Sequence, residues 1–194
     1  GAPNPEDNNV MLLREIESGP VNHRVETYNL QQFCQGYLGV DIKQPLTPVD
    51  WLTIPGQKLR TMTAGAVFHD STGELTELRE TLSYYPQDVW LYMMACGWCR
   101  IGQEEHLMPR AGYVGDELGS RIMAARLVHE MMNLCFLMER QYAPYPKWFG
   151  TGFSKLDYAE ALTPIFHNVL SALTWQEREK HIVQAYEFVA CMWA

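Results

Sequence analysis

Cys96 and Cys99 form the one Cys-x-x-Cys pair of the sequence. A structural zinc takes four thiolate or imidazole ligands, and no second pair stands at a suitable spacing, so both thiols read as core. His129-Glu130-Met131-Met132-Asn133 begins like a zinc-protease helix, but asparagine stands where the second imidazole must be. A Glu-x-x-His pair, the mark of di-iron bundles, is absent from the sequence. So are a Gly-x-Ser-x-Gly elbow and a Walker loop. Gly112, Gly115 and Gly119 are spread along a helical pattern, which suits close helix packing better than a phosphate cradle. No metal site is predicted.

A polar constellation between Trp98 and Lys155 remains. This window holds seven basic residues (Arg100, Arg110, Arg121, Arg126, Arg140, Lys147, Lys155) against six acidic ones, whereas the rest of the chain holds eight against seventeen. Gly119, Arg126, Asn133 and Arg140 recur every seven residues. On a helix that spacing keeps them near one stripe, drifting by about 20° per heptad. Arg100, Gln103 and Glu104 share a face of the preceding helical segment. If the two stripes meet, guanidinium groups and a carboxylate line one pocket. Such a pocket suits an anionic ligand, with Glu104 placed to accept a proton. The other reading is a solvated charged face, in which Arg126 and Glu130 are a plain i,i+4 pair. Tyr142, Tyr145, Trp148 and Phe149 read as core or helix-end packing, and Met123, Met131, Met132 and Met138 as core filling.

The elements that must hold these residues are mostly helical. Residues 1–20 are polar and read as a flexible N-terminal segment, apart from one turn of helix around Met11 to Ile16. Residues 21–194 read as a single helical domain. Val21 to Tyr28 predicts a short strand without a partner nearby. A lone strand cannot satisfy its own backbone, so its sheet would lie outside this chain. Asn29 caps a helix carrying Leu30, Phe33 and Tyr37 and ended by Gly39. Thr47-Pro48 opens a short helical turn through Trp51. Gly65 to Thr76 predicts a β-hairpin around Asp70-Ser71-Thr72-Gly73. Pro86 starts a helix through about Leu107, and a longer one runs from about Tyr113 to Tyr142, broken by Pro144 and Pro146. Two more follow, about Tyr158 to Leu173 and Trp175 to Met192, the last opened by the capping box Thr174-Trp175-Gln176-Glu177. The fold class is mainly α, a helical bundle with a short β-hairpin and an N-terminal orphan strand.

Composition narrows the partners. The 194 residues include 15 Lys+Arg and 23 Asp+Glu, a net charge of -8. An acidic chain without a basic run is a poor binder of nucleic acid or anionic membrane, so neither is expected as a partner. No stretch approaches the length of a membrane span. Five cysteines without a secretory signal read as reduced thiols in a cytoplasmic protein. The sequence begins Gly1-Ala2-Pro3, without a methionine. Removal of a methionine and a cut from a longer protein both account for this.

An ordered series of short segments carries a family resemblance. It runs through His23-Arg24-Val25-Glu26, Tyr37-Leu38-Gly39-Val40-Asp41, Asp50-Trp51-Leu52 and Gly65-Ala66-Val67-Phe68-His69-Asp70. It continues through Leu82-Ser83-Tyr84-Tyr85-Pro86, Asp88-Val89-Trp90, Trp98 to Glu105, Arg110 and Gly115 to Arg121. It closes with Ala125-Arg126-Leu127-Val128, Tyr142 to Trp148 and Gly150. Over about residues 22–155 the chain resembles the helical family called domain of unknown function 4037, which lies behind a nucleotidyltransferase domain in many bacterial proteins. The resemblance implies that this chain is the C-terminal half of a longer protein whose upstream domain supplies the Gly-Ser and paired acids that hold a metal-bound nucleotide. It implies Mg and an NTP in that full-length parent and no cofactor in this chain. The helical half would bind a small-molecule acceptor through Arg100, Gln103, Arg126, Asn133, Arg140 and Lys147, with Glu104 or Glu26 as the base. Two functions follow as expectations. One is the substrate-binding half of a nucleotidyltransferase that transfers a nucleotide to a hydroxyl or amine. The other is a non-catalytic helical interaction module, for example a homodimer or an antitoxin-like partner.

Overall fold

The computed structural model describes residues 2–4, 7–12, 19 and 25–193. At the N-terminus, β1 (Ala2–Asn4) pairs antiparallel with β2 (Asp7–Leu12), with Ala2 opposite Leu12 and Pro3 opposite Met11. The segment expected to be loose thus contains a small ribbon, and Met11 and Leu12 are extended rather than helical. Residues 13–16 of that expected turn lie outside the described residues. So do residues 21–24 of the expected orphan strand. Its remainder, Val25 to Tyr28, has no regular structure.

From Leu30 onward the described chain is helices and short connections. α1 (Leu30–Tyr37) starts where the Asn29 side chain accepts from the Gln31 and Gln32 amides at 3.1 and 3.4 Å. α2 (Pro48–Thr53) begins with a reciprocal cap, in which Asp50 N–H donates to Thr47 Oγ1 and Thr47 N–H to Asp50 Oδ2. α3 (Gly56–Thr63) follows directly.

The expected hairpin between Gly65 and Thr76 does not form. Its turn residues instead launch α4 (Glu74–Thr81). The Asp70 carboxylate accepts from the Gly73 amide at 3.0 Å and from the Thr76 amide and hydroxyl at 2.8 Å each. These bonds hold the Asp70 carboxyl below the usual carboxylate range. Asp-Ser-Thr-Gly is turn chemistry for a hairpin and for a helix start alike. The strong helix formers of Glu-Leu-Thr-Glu-Leu-Arg decide between them.

The bundle proper is α5 (Gln87–Glu104), α6 (Leu107–Tyr113), α7 (Glu117–Met138), α9 (Ala159–Ser171) and α10 (Trp175–Trp193). Between α7 and α9 the chain makes a 3-10 turn at Pro146–Trp148 and the short α8 (Phe149–Phe153). The helix expected to continue to Leu107 stops at Glu104. Pro109 has no N–H to give the Glu105 carbonyl, so the ladder cannot run through. α7 is the axis. At about 1.5 Å per residue its 22 residues cross the domain. Ala124, Leu127, Val128, Met131, Leu134, Cys135 and Phe136 are all buried on it. α5, α6, α9 and α10 contact it from different sides.

Gly112 sets how closely α6 and α10 approach, since a Cβ there would lie 2.2 Å from Trp175 Cβ. This is the packing role that the glycine spacing suggested. Gly115 takes φ +87 in the turn before α7, and Gly119 sits over the Asp116 cap. Of the box expected at the start of α10, the Glu177 amide donates to Thr174 Oγ1 at 3.3 Å.

A buried arginine that sequence reasoning passed over ties α10 to α7. Arg178 is fully buried. Its Nη1 donates to Ser120 Oγ at 2.7 Å and to Glu117 Oε2 at 3.2 Å, and its Nη2 to the Ala172 carbonyl at 3.0 Å. The other Glu117 oxygen accepts the Trp175 amide at 3.0 Å. One carboxylate in the first turn of α7 therefore neutralises Arg178 and caps α10. Removing one partner of a buried pair leaves the other uncompensated. Glu117 is 40% exposed, so its loss of partner is partly solvated. Arg178→Ala is expected to cost about 3 kcal/mol, the low end for such pairs. Urea denaturation measures this, and an unchanged midpoint would count against the network.

Candidate functional site

The site begins with a contact between two helices. Gly97 on α5 faces Leu134 on α7, and a Cβ at Gly97 would lie 2.6 Å from Leu134 Cδ2. A helix-interior glycine costs about 1 kcal/mol against alanine, which the close approach must offset. Beyond this contact the seam opens into polar groups. Arg100 Nη1 reaches Glu130 Oε2 at 2.7 Å, from α5 to α7. One turn further, Arg126 meets Glu104 in the opposite sense, Nε to Oε2 at 3.1 Å and Nη2 to Oε1 at 2.5 Å. The two charged stripes do face each other. The expected i,i+4 pairing of Arg126 with Glu130 is replaced by two pairs between helices. Both arginines are about half exposed, while the carboxylates are 14% and 18% exposed. Exposed pairs of this kind contribute roughly 0.2–1 kcal/mol each, so they orient the side chains more than they hold the fold.

A cleft of about 440 Å³ lies beside the seam. Arg100, Glu130, Asn133 and Gln141 are among its polar groups, and Tyr85, Phe136, Leu137 and Tyr142 form much of its apolar wall. The Asn133 side chain is 3.2 Å from His129 Nδ1. That volume and mixture are typical of a small-molecule site: apolar surface for affinity, a few polar groups for orientation.

The wall is rigid because the end of α7 is over-determined. Arg140 adopts φ +51, and the Gln141 amide donates back to the Phe136 carbonyl at 2.8 Å while the Arg140 amide donates to Leu137 at 3.1 Å. This is the helix-ending motif that usually carries glycine at the left-handed position. The Leu137 carbonyl also accepts Trp90 Nε1 at 2.8 Å and the Tyr84 hydroxyl at 3.3 Å. The Tyr142 hydroxyl donates to the Leu82 carbonyl at 2.9 Å. Tyr84, Tyr85 and Tyr142 touch pairwise at centroid distances of 4.9–5.2 Å, and Trp51 meets Tyr85 edge-on at 6.0 Å.

The remaining expected site residues are dispersed. Glu104 and Arg126 bond each other just outside the cleft lining, and Gln103 is exposed. Arg140 faces a different pocket, at the far end of α7. Lys147 is exposed, its Nζ 5.1 Å from the Trp148 ring. Glu26 is exposed and accepts the Tyr28 hydroxyl. Of the aromatics read as packing, Tyr142 is buried, but Tyr145 and Trp148 are more than half exposed. Sequence reasoning missed Glu130 as a cleft residue because its nearest cation in sequence is Arg126. Tyr85 and Phe136 carried no signal beyond being apolar. The five cysteines are free, and burial pushes the Cys135 thiol up to about 12.

The described fold and cleft define a helical domain wound on one buried helix, with a small-molecule-sized hollow along the α5–α7 seam. The chain belongs to the family described as Domain of unknown function (DUF4037), whose model matches residues 51–149. That stretch runs from within α2 to the start of α8 and includes the seam and the cleft. No curated protein and no solved structure matches the chain.

The tyrosine wall makes stability depend on pH. Burial pushes the Tyr85 hydroxyl up to about 12, and those of Tyr84 and Tyr142 further above the ordinary tyrosine range. An unfolded tyrosine ionises near ~10. The folded chain therefore keeps protons that the unfolded chain has lost. Stability from these groups is complete below about pH 10 and is lost as pH rises through about 12. The urea midpoint is expected to fall over that window, and to fall less steeply in Tyr85→Phe. A midpoint constant across the window would contradict the assignment.

Proposed function

We propose that this chain is the acceptor-binding helical half of a cytoplasmic nucleotidyltransferase. The whole protein would transfer a nucleotide from an NTP to a hydroxyl or amine. The observation that carries the reading is the cleft, with Arg100, Glu130 and Asn133 set above an aromatic wall. It is supported by the family resemblance, in which such domains follow a nucleotidyltransferase domain. In this reading Mg and the triphosphate belong to the upstream domain, and this chain contributes acceptor binding. Glu130 takes the part expected of Glu104. It lines the cleft and is largely shielded from water; its Oε2 pairs with Arg100 and its Oε1 lies 3.7 Å from His129 Nδ1, which leaves lone pairs to accept a proton from a hydroxyl or ammonium. Glu104 has both oxygens engaged by Arg126.

The test is transfer of labelled nucleotide by the polypeptide encoded by the whole gene, screened against hydroxyl and amine acceptors. Arg100→Ala is expected to lower kcat/KM at least about tenfold, ~1.4 kcal/mol of transition-state stabilisation, with little change in melting temperature. The 194-residue chain alone is expected to transfer nothing. Unchanged kinetics in the variant, or an absence of transfer by the whole protein, would sink the reading.

One observation favours the second reading, a helical interaction or dimerisation module. Tyr113, Val114, Leu118 and Ile122 are 55–80% exposed around the first turns of α7. Leu118 and Ile122, four apart, lie on one face. A contiguous exposed apolar patch is the usual mark of an interface. If this face joins two copies, sedimentation should give a dimer that Ile122→Glu converts to monomer. A monomer at all concentrations would leave the first reading alone.

A further inference from the structure

We infer that the pocket framed by Arg60, Arg79 and Arg140 is an oxyanion site that takes the phosphate groups of a ligand. It is separate from the α5–α7 cleft and does not depend on the nucleotidyltransferase reading. The pocket, about 410 Å³, lies between the ends of α3, α4 and α7. Thr63, Ser83 and Gln141 add hydroxyl and amide groups to its lining, and no carboxylate lines it. In a chain of 23 acidic and 15 basic residues, three arginines on one pocket without an acid is not the expected surface.

Each guanidinium is anchored by neutral partners. Arg60 Nη1 donates to the Tyr142 carbonyl at 2.6 Å. Arg79 Nη2 donates to the carbonyls of Thr63 and Gly65, the latter at 2.9 Å. Arg140 lies 4.4 Å from the centroid of the Trp90 ring. The described residues give none of the three an ion pair; Arg100, Arg126 and Arg178 have one, while Arg110 and Arg121 also have none but do not line this pocket. A guanidinium has five N–H donors, and these anchors use only one nitrogen of Arg60 and one of Arg79. The remaining donors have no other acceptor among the described residues.

The backbone provides an independent sign. Arg140 is the non-glycine residue with positive φ among those described. Glycine would satisfy the same helix-ending bonds without strain. A large cation held at a strained position beside two other unpaired cations points to a task for the side chain. Cations placed together repel, and an anion between them removes that repulsion. The planar forks match the oxygens of a phosphate, which explains three arginines rather than lysines. The pocket is larger than one phosphate needs, so the ligand class is a pyrophosphate or a phosphorylated small molecule.

Isothermal titration of the intact chain at low ionic strength tests this, using inorganic phosphate, pyrophosphate and ADP as probes. Pyrophosphate is expected to bind saturably and more tightly than phosphate. ADP binding no tighter than pyrophosphate would make the phosphate tail the whole determinant, and tighter ADP binding would add the nucleoside to it. Both results support the site. Arg60→Gln and Arg140→Gly are each expected to weaken binding about tenfold. Arg140→Gly also suits its backbone position, so it keeps the test readable if the other variant folds poorly. Arg110→Gln, on the exposed side of α6, serves as the control. Absence of pyrophosphate binding would overturn the site. So would wild-type affinity in both pocket variants, or an equal loss in the Arg110 control.

Discussion

Burial of the second half of α7 is the constraint on which the rest depends. From Ala124 to Phe136 the buried side chains recur at three- and four-residue steps along one broad face, and α5, α6, α9 and α10 all contact this helix. Ala125, Arg126 and His129 stay exposed on the opposite face, so the pattern orients the helix toward the core. Its register against its neighbours is set by specific contacts. Leu134 lies against the flat surface of Gly97, and Glu117 binds the guanidinium of Arg178. The first fixes α5 and the second fixes α10. Polar groups elsewhere on α7 then have their positions assigned, including Glu130 and Asn133 at the cleft.

The exit of α7 joins this bundle to the smaller helices before it. Three donors from different segments converge on the Leu137 carbonyl. A carbonyl has two lone pairs, and the longest of the three bonds, from Tyr84, is the one that competes least well. The tyrosines packed edge-on and tilted there link the α4–α5 connection to the segment leaving α7. The wall of the cleft and the back of the arginine pocket are thus two sides of one rigid junction. Tyr142 shows this directly, since it lines both cavities and its carbonyl holds Arg60 at the second.

Local signals in the sequence were legible where a side chain acts on its own neighbours. Asn29, Thr47-Pro48 and the long apolar period of α7 all specify what forms. The turn at Asp70-Ser71-Thr72-Gly73 was visible too, but its consequence was not. An aspartate three residues before a glycine can close a hairpin or cap a helix, and the choice rests on Glu74 to Arg79 beyond it. Pro109 was an available signal for the break between α5 and α6. The pairing of Arg100 with Glu130, and of Glu104 with Arg126, needed the offset between two helices, which no single helix encodes. Heptad spacing put Arg126 and Asn133 on α7, where one is in an ion pair and the other lines the cleft. Arg140, the next in that spacing, lies beyond the helix end at φ +51 and lines the second pocket instead.

The two charged features differ in a way that bears on what each does. On the seam every arginine has a carboxylate, so the charges cancel within the protein and little field reaches the solvent. Such pairs shape a recess and position polar atoms, which suits a ligand recognised by hydrogen bonding and apolar contact. At the junction the arginines are held by carbonyls and a ring, which anchor geometry without neutralising charge. No carboxylate lines that pocket, in a chain whose net charge is -8. An acidic protein repels anions in general, so a local positive recess adds selectivity as well as attraction. Tyr142 lines both recesses, so the two features share one side chain while differing in how their charges are balanced.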